Sequence, residues 1–162
     1  MKKVDVPVTA AIRFLRERRV PFEPHFYTYE EYGGTKVASA ALGVDEHRTV
    51  KTIIMETDGK KQLIVLMHGD CEVSTKNLAR AVGVKSIQPC DERTAERVTG
   101  YVFGGMSPFG TKASLPVYVE KSIFVLDRIY INGGKRGFLV EIDSRDLSVL
   151  SPIEVEIAIP AA

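Results

Sequence analysis

The chain has 162 residues, 44% of them hydrophobic and 27% charged, and a net charge of +1. That length and balance fit one globular domain over residues 1–162 with a sizeable core, and no apolar run approaches the roughly 20 residues of a membrane span. Met1–Asp5 lacks the apolar stretch of a signal peptide, and Cys71 and Cys90 form no Cys-x-x-Cys pair, so reduced thiols, no membrane and a cytoplasmic location are expected.

A first helix is expected over Thr9–Val20, with Thr9 as N-cap, an apolar face of Ala10, Ala11, Phe14 and Leu15, and Pro21 as its stop. Phe22–Tyr29 is aromatic and extended, and reads as a strand. Thr35 can cap a short helix to Leu42, which Gly43 ends. Arg48–Thr57 and Lys60–Met67 are β-rich runs around Asp58-Gly59, the strongest hairpin signal in the chain. Ser74 caps a helix over Thr75–Val82, Val84–Gln88 reads as a short strand, and Asp91–Thr99 reads as a polar helix with acidic residues at its positive end. Val117–Glu120, Arg128–Ile131 and Phe138–Ile142 read as strands, Asn132–Gly137 as a glycine-rich turn, Asp143 or Ser144 to Leu150 as a last helix, and the tail as an edge strand. Strands and helices alternate irregularly around a clear antiparallel hairpin. The expected class is α+β, a mixed, curved, barrel-like sheet with peripheral helices.

The most unusual stretch is Gly100–Lys112, GYVFGGMSPFGTK. Tyr101–Phe103 suggests a short buried strand, running into a loop whose glycines let backbone N–H groups approach a ligand. An ordinary tight turn is the competing reading. A phosphate-binding P-loop is excluded, because Gly105 and Gly110 are followed by Thr-Lys rather than Lys-Ser/Thr, and Pro116 forbids the helix that should follow. Residues 100–137 carry five basic groups and two acidic ones, whereas 138–162 carry one basic and five acidic. The basic excess in the glycine-rich middle could dock a polyanion or be plain solvated surface.

His25, His47 and His68 lack ligand spacing, so neither a metal nor a cofactor is expected. Cys71 has only His68 nearby in sequence as a base, no Gly-x-Ser-x-Gly elbow exists, and nothing marks a partner for Ser107. An enzyme of this composition would act by positioning and by backbone electrostatics. Lys51 stands out in the strand TVKTIIM, where alternation sets it on one face with Ile53 and Met55; it either snorkels or is functional. Tyr27, Tyr29 and Tyr32 could wall a pocket or belong to the core.

With GYVFGGMSPFG at 100–110 and NGGKRG at 132–137, together with the segments from Val20 to Tyr27 and Arg48 to Thr52, the chain resembles the YbaK-type aminoacyl-tRNA deacylases over roughly residues 8–150. These are relatives of the editing domain of bacterial prolyl-tRNA synthetases. The resemblance implies removal of a wrong amino acid from tRNA in trans, typically cysteine from Cys-tRNA(Pro), by a substrate-assisted route. It implies Lys51, Gly104 and Gly105 as the catalytic set, and Tyr27, Tyr32, Thr52, Ser107, Pro108, Asn132 and Gly134 as substrate contacts. The implied partners are the acceptor end of mischarged tRNA and prolyl-tRNA synthetase. The basic residues Lys112, Lys135 and Arg136 would meet the tRNA. Two departures bear on specificity: Asn132 stands where the family often has Ser, and Leu139 where it carries a small polar or acidic residue. A deacylase for another small amino acid, a non-catalytic aminoacyl- or nucleotide-binding module, and a regulatory protein acting through its acidic tail are the alternatives.

Overall fold

The computed structural model describes residues 5–161; Met1–Val4, which include most of the N-terminal stretch read above for a signal peptide, and Ala162 lie outside that range. The elements in chain order are α1 (Ala10–Glu17), β1 (Glu23–Phe26), α2 (Gly34–Leu42), β2 (Thr49–Thr57), β3 (Gln62–His68), β4 (Cys71–Val73), α3 (Thr75–Val82), β5 (Ile87–Pro89), α4 (Glu92–Thr99), β6 (Val117–Glu120), β7 (Arg128–Lys135), β8 (Phe138–Asp143), β9 (Ile153–Val155) and β10 (Ala158–Pro160). Short 3-10 turns cover Glu46–Arg48, Lys121–Val125 and Ser144–Leu150.

The main sheet has the order β1-β8-β7-β2-β3-β6-β9, with β5 also paired to β2. It is mixed: β2 pairs antiparallel with β3 and parallel with β7, and β6 lies parallel to both β3 and β9. β3 explains why the sheet is the centre of the molecule. Leu63 to Met67 are all buried, an unbroken apolar run rather than an alternation, as a strand covered on both faces requires. Ile64 and Leu66 face a core shared with α1, β7 and β8 through Ile12, Leu15, Ile129, Ile131, Phe138 and Val140. Leu63, Val65 and Met67 face a second core with Met55, Leu78 and Tyr118.

Local capping sets the helices. The side chains of Thr9, Ser74 and Asp91 accept the N–H groups of Ile12, Asn77 and Thr94, and Gly43, Gly83 and Gly100 end their helices in the left-handed region. Five expectations are corrected. Thr35 does not cap α2: it lies inside the helix, whose N-cap is Gly33 with no side-chain bond, and its hydroxyl donates instead to Glu46 and to the Gly69 carbonyl. Tyr101–Phe103 forms no strand: Tyr101 is buried, its hydroxyl donating to the Phe109 carbonyl at 2.6 Å, while Val102 and Phe103 are exposed. β7 does not stop at Ile131 but runs on through Asn132-Gly133-Gly134 to Lys135, with a bulge between Asn132 and Lys135. The residue turning the β2–β3 hairpin through positive φ is Lys60 (φ 62°), not Gly59, because Glu56 pairs with Gln62 and leaves a five-residue connection. The last helix is a 3-10 turn capped by Asp143.

Candidate active site

The edge of β2 that does not face β3 is paired at both ends and open in the middle. β7 meets it at Thr49 and Val50, and β5 at Met55 to Thr57. Lys51, Thr52 and Ile53 have no strand partner there. A cavity of about 450 Å³ adjoins this gap, with Lys51 and Thr52 in its wall. The segment after β1 contributes Tyr27, Tyr29 and Tyr32, α2 contributes Thr35 and Ala38, the glycine-rich loop contributes Phe103, Gly104 and Met106, and the β7–β8 pair contributes Asn132 and Leu139.

Lys36, Lys51 and Glu46 give the cavity its charge. The Lys51 ammonium donates to the Gly69 carbonyl at 3.5 Å and forms no ion pair among the described residues. Glu46 lines the same cavity, its Oε2 accepting from the Thr35 hydroxyl at 3.0 Å. The site therefore offers two cations, Lys36 and Lys51, and one carboxylate to a ligand. Thr52 adds a buried hydroxyl with no hydrogen-bond partner among the described residues. Leaving such a group unpaired costs about 1–3 kcal/mol. Burial raises the Tyr27 phenol above its ordinary range, so it stays protonated.

The two glycine motifs clasp each other. The Asn132 carbonyl oxygen accepts the N–H groups of Gly134 (2.6 Å) and Lys135 (3.1 Å), and its amide donates to the Gly104 carbonyl at 3.3 Å. Arg136 donates from Nε to the Phe103 carbonyl at 2.9 Å, with its guanidinium 4.9 Å from the centre of the Tyr29 ring. Gly104 has φ +88°, and a Cβ there would stand 2.5 Å from the Tyr29 hydroxyl. At Gly105 a Cβ would lie 2.8 Å from the Arg136 nitrogen, a backbone atom that cannot swing away. Gly105→Ala is accordingly expected to lift the loop off the β7–β8 turn, destabilising the fold by about 1–3 kcal/mol and lowering activity. Wild-type thermal unfolding and wild-type rate in that variant would show that the close approach is dispensable.

Of the residues anticipated from sequence, the cavity brings together Lys51, Gly104, Tyr27, Tyr32, Thr52 and Asn132. Gly105, Ser107, Pro108 and Gly134 support its wall without lining it; Ser107 is fully buried, its hydroxyl accepting the Phe109 N–H at 3.2 Å. The Gly105 N–H is bound to the Val102 carbonyl at 2.9 Å, whereas those of Gly104 and Met106 have no protein partner among the described residues. Lys112, Lys135 and Arg136 lie outside the cavity lining. Glu46 and Thr35 were not anticipated: they carry no motif, and only the fold of α2 and the 3-10 turn beside β2 brings them into the cavity that Lys51 lines.

His68 is unsuited to serve Cys71 as a base. It is fully buried, held at 2.8 Å from the His47 carbonyl and 2.7 Å from the Ser122 hydroxyl. Burial and the neighbouring Asp70 push the Cys71 thiol up, and burial with a bond to Glu56 pushes Cys90 to about 11. For a metal ion, His47, Asp70 and Cys71 place ligand-type atoms within 4.8 Å of one another, with His47 and Asp70 already paired at 2.8 Å.

The aminoacyl-tRNA editing domain model matches residues 30–150, which include β2, the glycine-rich loop and the β7–β8 clasp. The chain belongs to the aminoacyl-tRNA editing domain family. Among similar proteins, EbsC of Enterococcus faecalis, a candidate Cys-tRNA(Pro)/Cys-tRNA(Cys) deacylase, is 28% identical over 142 residues, 87% of each chain. The proline–tRNA ligase of Brachyspira hyodysenteriae is 31% identical over 86 residues; the match spans 53% of this editing-domain chain and 15% of the ligase. Two crystal structures share the fold: the hypothetical protein APE2540 (TM-score 0.84, 19% identity, 93% of this chain and 99% of that one) and a candidate trans-editing enzyme for prolyl tRNA synthetase (TM-score 0.80, 18% identity, 95% and 99%).

Proposed function

We propose that this chain acts as one free-standing domain that deacylates mischarged tRNA in trans, with cysteinyl-tRNA(Pro) as its principal substrate. The observation that carries this reading is the cavity itself: two ammonium groups, a carboxylate and a glycine-rich loop with two unpartnered N–H groups line it, and no side-chain nucleophile there has a base. In this reading the Glu46 carboxylate receives the α-ammonium group of the aminoacyl ester. Lys51 faces the ester carbonyl or the terminal phosphate, and the N–H groups of Gly104 and Met106 face the developing oxyanion. The substrate supplies the nucleophile. Its thiol loses a proton, sulfur attacks the ester carbonyl, and collapse of the tetrahedral intermediate releases the tRNA 3′-oxygen, which takes up a proton. The amino acid leaves as a thiolactone that water opens. Lys112, Lys135 and Arg136 are proposed to meet the RNA beyond the cavity, and prolyl-tRNA synthetase is proposed as the source of the substrate, in the cytoplasm. No described helix is long and apolar enough to cross a membrane.

Leu139 favours a second reading. It lines the cavity at 5% exposure, an apolar surface that also suits alanine or another small side chain. Incubation with a panel of tRNAs carrying different amino acids tests both readings. Cleavage of cysteinyl-tRNA(Pro) above all others supports the first, a preference for alanyl-tRNA supports the second, and absence of turnover on every ester would leave only a binding module.

Thr52 gives a sharper test. Thr52→Val keeps the shape and removes the partnerless hydroxyl, so the melting temperature is expected to hold or rise while the deacylation rate falls about tenfold, the worth of one hydrogen bond. A drop in stability at full activity would assign Thr52 to the fold alone.

A further inference from the structure

A second concavity lies further along the same edge of β2. Ile87 pairs with Thr57, and the groove beside it, about 430 Å³, is lined by Thr75, Lys76, Arg80, Lys85 and Ser86 over an apolar base that includes Ile87. Lys76 and Arg80 are one turn apart on α3 and share a face; Lys85 comes from the segment leading into β5. All three are exposed, and none forms an ion pair among the described residues. No carboxylate lines the groove; Asp58 reaches it only through the Ser86 backbone, where the Asp58 N–H donates to the Ser86 carbonyl (3.1 Å) and the Ser86 N–H to Asp58 Oδ1 (3.4 Å). The hydroxyls of Thr75 and Ser86 make no hydrogen bond among the described residues. Three free cations and two free hydroxyls around a concave surface match the phosphate groups of a polyanion.

Its position selects the polyanion. Thr57 and Lys51 are six residues apart on one extended strand, about 20 Å at 3.3 Å per residue. At about 3.4 Å per stacked nucleotide that corresponds to roughly six nucleotides. The groove is thus within reach of the acceptor arm of a tRNA whose terminal ester sits at Lys51. We infer that Lys76, Arg80 and Lys85 form a phosphate-backbone site for the acceptor arm, a docking surface separate from the cavity; the inference rests on the editing reading above.

The test compares wild type with Lys76→Ala/Arg80→Ala/Lys85→Ala, and with Arg80→Glu alone, all at exposed positions. Two probes are used: unacylated tRNA for binding across a salt series, and cysteinyl-adenosine, the ester without the RNA, for chemistry. Removing three phosphate contacts should reduce the slope of log affinity against log salt by about 2.7, so that between 50 and 200 mM salt the wild type loses roughly 40-fold more affinity than the triple variant. Arg80→Glu should weaken binding in the same direction. Cleavage of cysteinyl-adenosine should be unchanged. Identical affinity and slope in wild type and variants would overturn the groove, as would failure of the wild type to bind tRNA while it still cleaves the small ester. Groove-dependent binding by a protein that cleaves no ester would uphold the groove and overturn the deacylase reading instead.

Discussion

Lys51→Ala is expected to lower the deacylation rate by at least about 100-fold while leaving the melting temperature within a few degrees of wild type. Both halves follow from one geometry. The ammonium makes a single long contact, 3.5 Å to the Gly69 carbonyl, so removing it strands no buried charge partner. Truncation at such a partly exposed position costs about 1 kcal/mol or less. In the proposed reading the catalytic loss is larger, because Lys51 stands beside the ester as a preorganised cation, and removing one such electrostatic contact typically costs 100- to 1,000-fold. Single-turnover deacylation alongside thermal unfolding measures the two separately. Wild-type turnover would remove Lys51 from the mechanism, and a collapsed melting temperature would make it a structural residue.

The second large effect concerns the substrate. On one tRNA, cysteinyl ester should be cleaved at least about 100-fold faster than alanyl ester, with seryl ester close to alanyl. A thiol is a few per cent ionised near neutral pH and intrinsically nucleophilic, a hydroxyl is neither, and alanine has no nucleophile at all. An intramolecular attack held in a productive conformer can reach effective molarities above about 10⁵ M, so the expected ratio is a modest fraction of what positioning can supply. Cys71→Ala and Cys90→Ala should both stay active. Both thiols are pushed above their ordinary range and bonded to carboxylates, at Asp70 and Glu56, which disfavours the thiolate. Equal rates on alanyl- and cysteinyl-tRNA would make water the nucleophile. In that case Leu139 and Asn132 would mark a different amino-acid specificity, and the deacylase reading would survive without cysteine.

The parts of this molecule legible in its sequence are those decided by neighbours along the chain. Helix α3 begins and ends where Ser74 and Gly83 say it should, because a cap bonds to a group three residues away. The β2–β3 hairpin follows from two β-branched runs and a turn. The glycine motifs at 104–105 and 132–134 were visible as motifs, and so was the family they belong to. Their mutual clasp was not, because Asn132 and Gly104 are 28 positions apart and meet only when β7 runs past its expected end. Tyr101–Phe103 shows the limit most directly. Its composition is that of a strand, yet it pairs with none, and Tyr101 turns inward to the Phe109 carbonyl while its neighbours face solvent. The cavity itself was hidden for the same reason. It depends on β7 leaving β2 after Val50 and β5 arriving at Met55, and that gap is a property of three strands at once. Lys51 could therefore be singled out from its own strand. Glu46 in the same cavity, and the cationic groove further along the same edge, were decided only when the tertiary structure brought α2, α3 and β5 around β2, since charge placement across a sheet leaves no periodicity in the chain.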